Sequence, residues 1–115
     1  MLKKENRLTT NFEYKITQKY GKHFIGKYFH LYILEPKSYT GGAKVGIVVS
    51  NKLHNKAAKR NYVKRLYREA AQKHIDKIKD KHLWIAIYPK FDALGKKYEE
   101  IRSDFNKTVQ KTPFF

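Results

Sequence analysis

Arginine residues cluster in one short segment of the chain, and their chemistry suits phosphate. Only five of the 26 lysines and arginines are arginine, and three of these, Arg60, Arg65 and Arg68, fall within nine residues. A guanidinium group presents a planar fork of donors that can hold a phosphate with two hydrogen bonds or stack on a base, which an ammonium group cannot do. Positions 36–68 contain nine basic residues and no acidic one. This segment therefore predicts a surface that faces RNA or DNA.

The same segment has the periodicity of an amphipathic helix over about residues 56–74. At 100° per residue, one continuous arc holds the residues expected to be buried, namely Tyr62, Val63, Leu66, Tyr67, Ala70 and His74. The neighbouring arc is polar and cationic and holds Arg60, Asn61, Lys64, Arg65 and Arg68. A helix face that is merely solvated usually mixes both signs of charge, so a face of one sign indicates binding.

The sequence shows no arrangement of residues that would support independent catalysis. The five histidines are scattered without the spacing of metal ligands, and His74 is expected to pack on the apolar arc of its helix. The few aspartates, among them Asp76, Asp80, Asp92 and Asp104, form no converging set of the kind that a two-metal nuclease needs. No phosphate-binding loop, dinucleotide fingerprint or nucleophile elbow occurs. We therefore predict no catalytic residue and no metal ligand, although a histidine-pair ribonuclease remains an open alternative.

Composition limits the class of protein. With 115 residues, 41% of them hydrophobic, the chain is predicted to form one folded domain over residues 1–115 rather than a disordered basic tail. A formal charge of +16 points to a polyanionic partner. No apolar run approaches the roughly 20 residues that span a bilayer, so no membrane partner is expected. The absence of cysteine excludes disulfides, and the absence of a secretory signal predicts a cytoplasmic protein.

The remaining elements follow from capping signals and alternation. Thr10 and Glu13 have capping-box spacing and predict a helix over about residues 10–19. Strands are predicted over residues 24–35, 43–50 and 83–88, with an extra short strand considered near residues 23–24, and a last helix is predicted over about 97–110. This order describes an α/β (α+β) two-layer sandwich.

The first strand is predicted to have an apolar face and an aromatic-rich second face. Phe29, Leu31 and Ile33 would point to one side, whereas Tyr28, His30, Tyr32 and Leu34 would point to the other. Aromatic side chains on an open sheet can stack unpaired bases. Burial under a helix is the competing interpretation. We favour burial for Phe12 and Phe29 and leave Tyr32 undecided.

Two segments of the chain have the pattern of a known family. One reads Val-Gly-Ile-Val-Val-Ser-Asn-Lys over residues 45–52, and the other reads Lys-Arg-Asn-Tyr-Val-Lys-Arg-Leu-Tyr-Arg-Glu over residues 59–69. They resemble the protein subunit of bacterial ribonuclease P, whose family pattern is a glycine-containing strand, a lysine-bearing loop, and a helix with Arg-Asn-x-x-Lys-Arg-x-x-Arg-Glu. Residues 6–8 ahead of Phe12, and residues 29–32 in the strand, also match family positions. The similarity covers nearly the whole chain.

The resemblance implies a fold, a function and a set of contacts. The fold would have the order αβββαβα, with a left-handed crossover joining the parallel strands, against the general right-handed rule. The function would be that of an RNA-binding protein subunit in a tRNA-processing endonuclease. Its catalytic RNA, which binds Mg²⁺, removes the 5′ leader from precursor tRNA, and no small-molecule substrate is implied. The catalytic RNA would be bound by Lys56, Arg60, Asn61, Lys64, Arg65 and Arg68. The single-stranded leader would be bound in a cleft lined by Phe12, Ile16 and Tyr32.

Three positions depart from the family pattern. Tyr62 stands where the family has the third residue of an Arg-Asn-Arg signature, which predicts weaker RNA contact there. Ile16 replaces a frequent aromatic residue, and Asn51 replaces a frequent lysine. Two alternatives stay open at this point: a ribosomal or other structural RNA-binding protein, and a ribonuclease that acts without an RNA subunit.

Overall fold

The computed structural model describes residues 4–115. Within this range the helices are α1 (Asn11–Tyr20), α2 (Ala57–Ile78) and α3 (Tyr98–Gln110). The strands are β1 (Lys22–Ile25), β2 (Phe29–Leu34), β3 (Lys44–Ile47) and β4 (Trp84–Pro89). The order αβββαβα is confirmed. No helix in the described range is long and apolar enough to cross a membrane.

The four strands form one mixed sheet in the order β1-β2-β4-β3. The pairs β1–β2 and β2–β4 are antiparallel, whereas β3 and β4 are parallel neighbours. Parallel neighbours need a crossover connection, and α2 supplies it here. The long cationic helix is therefore tied at both ends to adjacent strands of the sheet.

The single strand predicted over residues 24–35 is two strands joined by a turn, so the extra short strand is confirmed. The Gly26 N–H donates to the Phe29 carbonyl at 2.9 Å and closes the turn. The Asp104 carboxylate of α3 then accepts from the backbone N–H groups of Lys27 and Tyr28 at 2.8 and 2.9 Å. Local residue types predicted a continuous strand. They could not show the turn, because the Asp104 carboxylate that stabilises it lies 77 residues away in sequence.

Helix α2 ends four residues later than predicted, at Ile78 rather than about residue 74. The connection that was expected to be a lysine-rich loop continues the apolar stripe of the helix. Ile75 and Ile78 are both buried at 3% exposure. Burying these two side chains favours helix over loop despite the lysines between and around them.

The main core lies between one face of the sheet and helices α2 and α3. The predicted inward face of β2 is confirmed, because Phe29, Leu31 and Ile33 are at most 1% exposed. The Phe29 ring lies 5.4 Å from the rings of Tyr67 on α2 and of Phe105 on α3. Phe29 thus joins the sheet to both helices.

Helix α1 crosses the opposite face of the sheet. Its Glu13 and Thr17 side chains are buried against the strands, and Tyr14 lies over Gly46 of β3. A side chain at Gly46 would collide with the Tyr14 ring, so a larger residue there would force that ring to move. The helix covers only part of the face, and aromatic side chains of β1, β2 and β4 stay partly exposed beside it.

Candidate nucleic-acid interface

The cationic face of α2 points away from the core. Asn61, Arg65 and Arg68 are exposed, and Arg60 and Lys64 are half-buried. The ion pair found within residues 4–115 joins Lys44 to Glu13 and involves none of these side chains. Within residues 4–115, no carboxylate forms an ion pair with a side chain of this face.

Arg60 differs from the other basic residues because part of its guanidinium group has a structural role. Its Nη1 atom donates to the His54 carbonyl at 2.8 Å, and the Lys56 backbone N–H donates to Nδ1 of His54 at 3.0 Å. These contacts hold the β3–α2 loop against the first turns of α2. Lys56 itself is exposed at the N-cap position, where its side chain makes no capping bond.

Tyr62 was expected at the edge of the buried arc, and that expectation is wrong. The side chain is 48% exposed, although Val63 beside it is buried. The first buried residue of α2 is Val63, so Tyr62 precedes the buried part of the helix. An exposed aromatic ring consequently lies next to the cationic face, at the position where the family pattern has an arginine.

The predicted packing of His74 fits its observed surroundings. Its Nε2 atom lies 2.6 Å from Oδ1 of Asn106, and its ring lies 5.4 Å from the ring of Phe105. Within residues 4–115, no three histidine or acidic side chains converge in a way that could hold a metal ion.

Phe12 and Ile16 lie on one flank of α1, above a groove of about 460 Å³. The opposite wall comes from Leu34 of β2 and Trp84 of β4. Phe12 is 63% exposed, so its predicted burial is wrong. The helix turns the polar side chains Glu13 and Thr17 toward the sheet, which leaves the apolar residues on the flank.

Tyr32 lies in a separate aromatic group on the same face of the sheet. The His23 ring stacks on it with centroids 4.4 Å apart, and the Tyr88 ring meets it edge-on at 5.5 Å. Tyr88 approaches Gln18 of α1, which projects from the side of the helix away from Ile16. The structure therefore brings Phe12 and Ile16 together but does not place Tyr32 in their groove.

Sequence reasoning missed His23 and Tyr88 as members of this aromatic group, and it misplaced Tyr28. Tyr28 was expected on the open face with Tyr32, but it lies in the β1–β2 turn and is only 8% exposed. His23 pairs across β1–β2 with Tyr32, so correct placement of the hairpin turn would have identified it. Tyr88 follows from the alternation of β4 once that strand is paired with β2.

Glu13 and His30 are among the titratable groups on this side of the sheet that have shifted pKa values. Burial raises the pKa of Glu13, but hydrogen bonds from the Thr9 and Thr10 backbone and from Lys44 more than offset it, and the pKa falls from 4.5 to about 2. Burial lowers the pKa of His30, with further lowering from the positive charges of Lys90 and His23. Glu13 therefore stays ionised as the cap and anchor of α1.

Comparison with known families identifies close relatives of this sequence. The family model described as Ribonuclease P matches residues 2–113. A ribonuclease P protein component from Bacillus velezensis is 34% identical over 116 residues, which cover 99% of this chain and 95% of the relative. One from Clostridioides difficile is 37% identical over 103 residues, which cover 87% and 85%.

Solved structures have the same fold. The ribonuclease P protein of Staphylococcus aureus superposes with a TM-score of 0.82 at 24% identity, covering 96% of this chain and 97% of that one. The protein from Thermotoga maritima superposes with a TM-score of 0.73 at 23% identity, covering 92% and 96%. The topology of the sheet and its three helices is therefore that of these structures.

Proposed function

The chain belongs to the ribonuclease P protein family, and from that premise we propose how it acts as the protein component of ribonuclease P. Its α2 face binds the catalytic RNA, and the face of the sheet that α1 crosses binds the single-stranded 5′ leader of precursor tRNA. The protein supplies binding and orientation. The endonucleolytic cleavage itself is assigned to the RNA subunit and the Mg²⁺ that it binds.

The exposed, uncompensated charge of the α2 face carries this proposal. Arg65 and Arg68 reach solvent with planar donors suited to phosphate, and Lys64 and Arg60 lie beside them. Contacts of this kind release counterions and bring two polyanions together, so catalytic RNA and precursor tRNA can associate at lower salt and lower Mg²⁺. Asn61 would add a neutral donor and acceptor at the start of the same face.

The leader proposal has support from both flanks of α1. On one flank, the exposed Phe12 and the half-buried Ile16 provide apolar surface over the groove. On the other, Tyr32 is partly exposed and is held by its stack on His23. Unpaired bases stack on surfaces of this type without strong sequence preference. A leader that crosses α1 would meet both, and mature tRNA has no leader to make either contact.

We further propose that the protein acts in the cytoplasm, where precursor tRNA would be processed. No small molecule is needed as a substrate, because the bond that breaks lies in the precursor tRNA itself.

The leader contact is tested by replacing the two ring side chains separately. Tyr32→Ala and Phe12→Ala should each weaken binding of precursor tRNA to the assembled ribonucleoprotein by roughly 1–3 kcal/mol, the cost of a lost base stack. Binding of mature tRNA should not change. Tyr32→Phe is the matched control, because it keeps the ring. Phe12→Ala is a clean probe, since an exposed side chain contributes little to stability, within about 0.5 kcal/mol.

Equal losses for precursor and mature tRNA in well-folded variants would contradict the leader contact and favour a structural RNA-binding role. A cleavage assay with protein alone, catalytic RNA alone and both together at low Mg²⁺ tests the remaining alternative. Cleavage by the protein alone would indicate an independent ribonuclease.

A further inference from the structure

A second groove lies between α2 and the start of α3, away from the leader surface. Its volume is about 540 Å³, which is within the range of small-ligand pockets, about 300–1,000 Å³. The lining side chains are Arg65, Arg68, Glu69, Gln72, Lys73 and Tyr98. Four of them, Glu69, Gln72, Lys73 and Tyr98, belong to neither the proposed catalytic-RNA contacts nor the leader contacts.

Gln72 has an acceptor without a partner. Its Nε2 atom donates to Oδ1 of Asp76 at 3.3 Å, whereas its Oε1 atom is buried and accepts no hydrogen bond within the described residues. A buried acceptor of this kind is costly, and most such atoms in folded proteins are satisfied. A rotation of the Gln72 amide that turns this oxygen into the groove would let a bound donor remove the cost.

Tyr98 provides a flat apolar surface at the same place. The residue opens α3 and is partly buried, because it packs against the edge of the main core. Packing fixes the ring before any ligand arrives, so stacking on it costs little conformational entropy.

The charges around the groove suit a nucleotide better than a peptide. Arg65, Arg68 and Lys73 are exposed cations along one rim, where backbone phosphates would bind. Glu69 is a single carboxylate among them and can only accept hydrogen bonds. The groove thus combines phosphate-binding cations, a ring, and two acceptors, Glu69 and Gln72, suited to the donor edge of a base.

We infer that this groove holds one unpaired nucleotide of the catalytic RNA. Its base stacks on Tyr98, an exocyclic amino group donates to Oε1 of Gln72, and the adjoining phosphates bind Arg65 and Arg68. Adenine, cytosine and guanine carry such an amino group on the Watson–Crick edge, and guanine adds its N1–H donor beside it, so the two acceptors, Glu69 and Gln72, suit guanine best. The inference rests on the proposed function, which brings the catalytic RNA to this face of α2.

The test measures affinity of the full-length protein for catalytic RNA alone, without tRNA, at fixed salt. Tyr98→Ala should weaken binding about 5- to 100-fold, and Tyr98→Phe should bind within about 2-fold of wild type. Phe91→Ala is the matched control, because Phe91 is an aromatic residue at 69% exposure outside this groove. It should also stay within about 2-fold.

Chemical probing of the catalytic RNA gives a second readout, because dimethyl sulfate modifies unpaired adenine and cytosine on the Watson–Crick edge and kethoxal modifies unpaired guanine there. Wild-type protein should protect one such nucleotide, and Tyr98→Ala and Gln72→Met should each lose that protection. Gln72→Met keeps side-chain length but removes the acceptor, so it tests the site even where Tyr98→Ala weakens the fold. Thermal unfolding of each variant identifies that case.

Wild-type affinity and an unchanged protection pattern in folded Tyr98→Ala and Gln72→Met would overturn the inference. The proposed function is judged separately by Arg65→Ala. If Arg65→Ala weakens binding while the groove variants do not, the assignment of the α2 face to the catalytic RNA is supported and the nucleotide site in the groove is contradicted. If none of the three variants weakens binding, the assignment of α2 to the catalytic RNA fails as well.

Discussion

Arg65 and Arg68 illustrate at the scale of the residue why arginine is concentrated on α2. Both are exposed, and neither forms an ion pair within the described range. Their charge is therefore available to a partner, whereas one N–H group of Arg60 already donates a hydrogen bond to the His54 carbonyl. Removing Arg60 would disturb the β3–α2 loop as well as RNA contact, so Arg65 and Arg68 are the cleaner probes.

Arg65→Ala and Arg68→Ala should each weaken catalytic-RNA binding by about 1.5–3 kcal/mol, because each loses a charge-assisted hydrogen bond. Lysine at either position should restore the affinity only in part, since it lacks the planar fork. The measurement is a binding titration with labelled RNA. Arg102→Ala is the control, because Arg102 is exposed on α3 outside this face. Wild-type affinity in both α2 variants would contradict the assignment.

Helix α1 shows at the scale of the element how one buried carboxylate sets the position of a binding surface. Glu13 accepts from the Thr9 and Thr10 backbone N–H groups at 3.0 Å each, and from Lys44 of β3 at 3.1 Å. The capping box thereby begins the helix and ties it to the sheet in one interaction. Phe12 projects onto the groove because its neighbour Glu13 points at the strand.

The free energy of unfolding should fall in acid because of Glu13. Its pKa is lowered in the folded state, from 4.5 to about 2, so its contribution is complete above pH 4.5 and is lost as the pH falls toward 2. The shift corresponds to at most about 3 kcal/mol. Denaturant unfolding between pH 5 and pH 2 measures it.

Glu13→Gln should be less stable than wild type at neutral pH and should lose less stability on acidification. Asp80→Asn, which removes an exposed carboxylate after α2, is the control and should follow the wild-type curve. Parallel acid profiles for wild type and Glu13→Gln would show that Glu13 does not anchor α1.

At the scale of the whole molecule, the charge of +16 governs how the protein meets RNA. Affinity should decrease linearly with salt on a double-logarithmic plot, with a slope of roughly −0.7 to −0.9 for each phosphate contact. Arg65→Ala should make the slope shallower by about one unit at most. Titrations of catalytic RNA at several salt concentrations measure both slopes. An affinity independent of salt would mean that the charge has no part in binding, and would point to a protein partner.

The sequence by itself determined the features that depend on neighbours along the chain. The capping box of α1, the cationic arc of α2 and the inward residues Phe29, Leu31 and Ile33 of β2 are all present as predicted. Helix and strand periodicities assign each side chain to a face, so local order is enough to find these surfaces. The motif around α2 was also sufficient to indicate the family.

Only the tertiary structure decided which faces meet. Lys44 lies 31 residues from Glu13 in sequence, but its Nζ atom lies 3.1 Å from the Glu13 carboxylate in space. This ion pair makes burial of Glu13 favourable, and with Glu13 facing the sheet, Phe12 points outward. The β1–β2 turn depends on Asp104, and the groove beside Tyr98 exists only where α3 meets α2. Periodicity encodes how apolar a face is, but it does not encode the distant polar partner that makes burial of a charged side chain favourable.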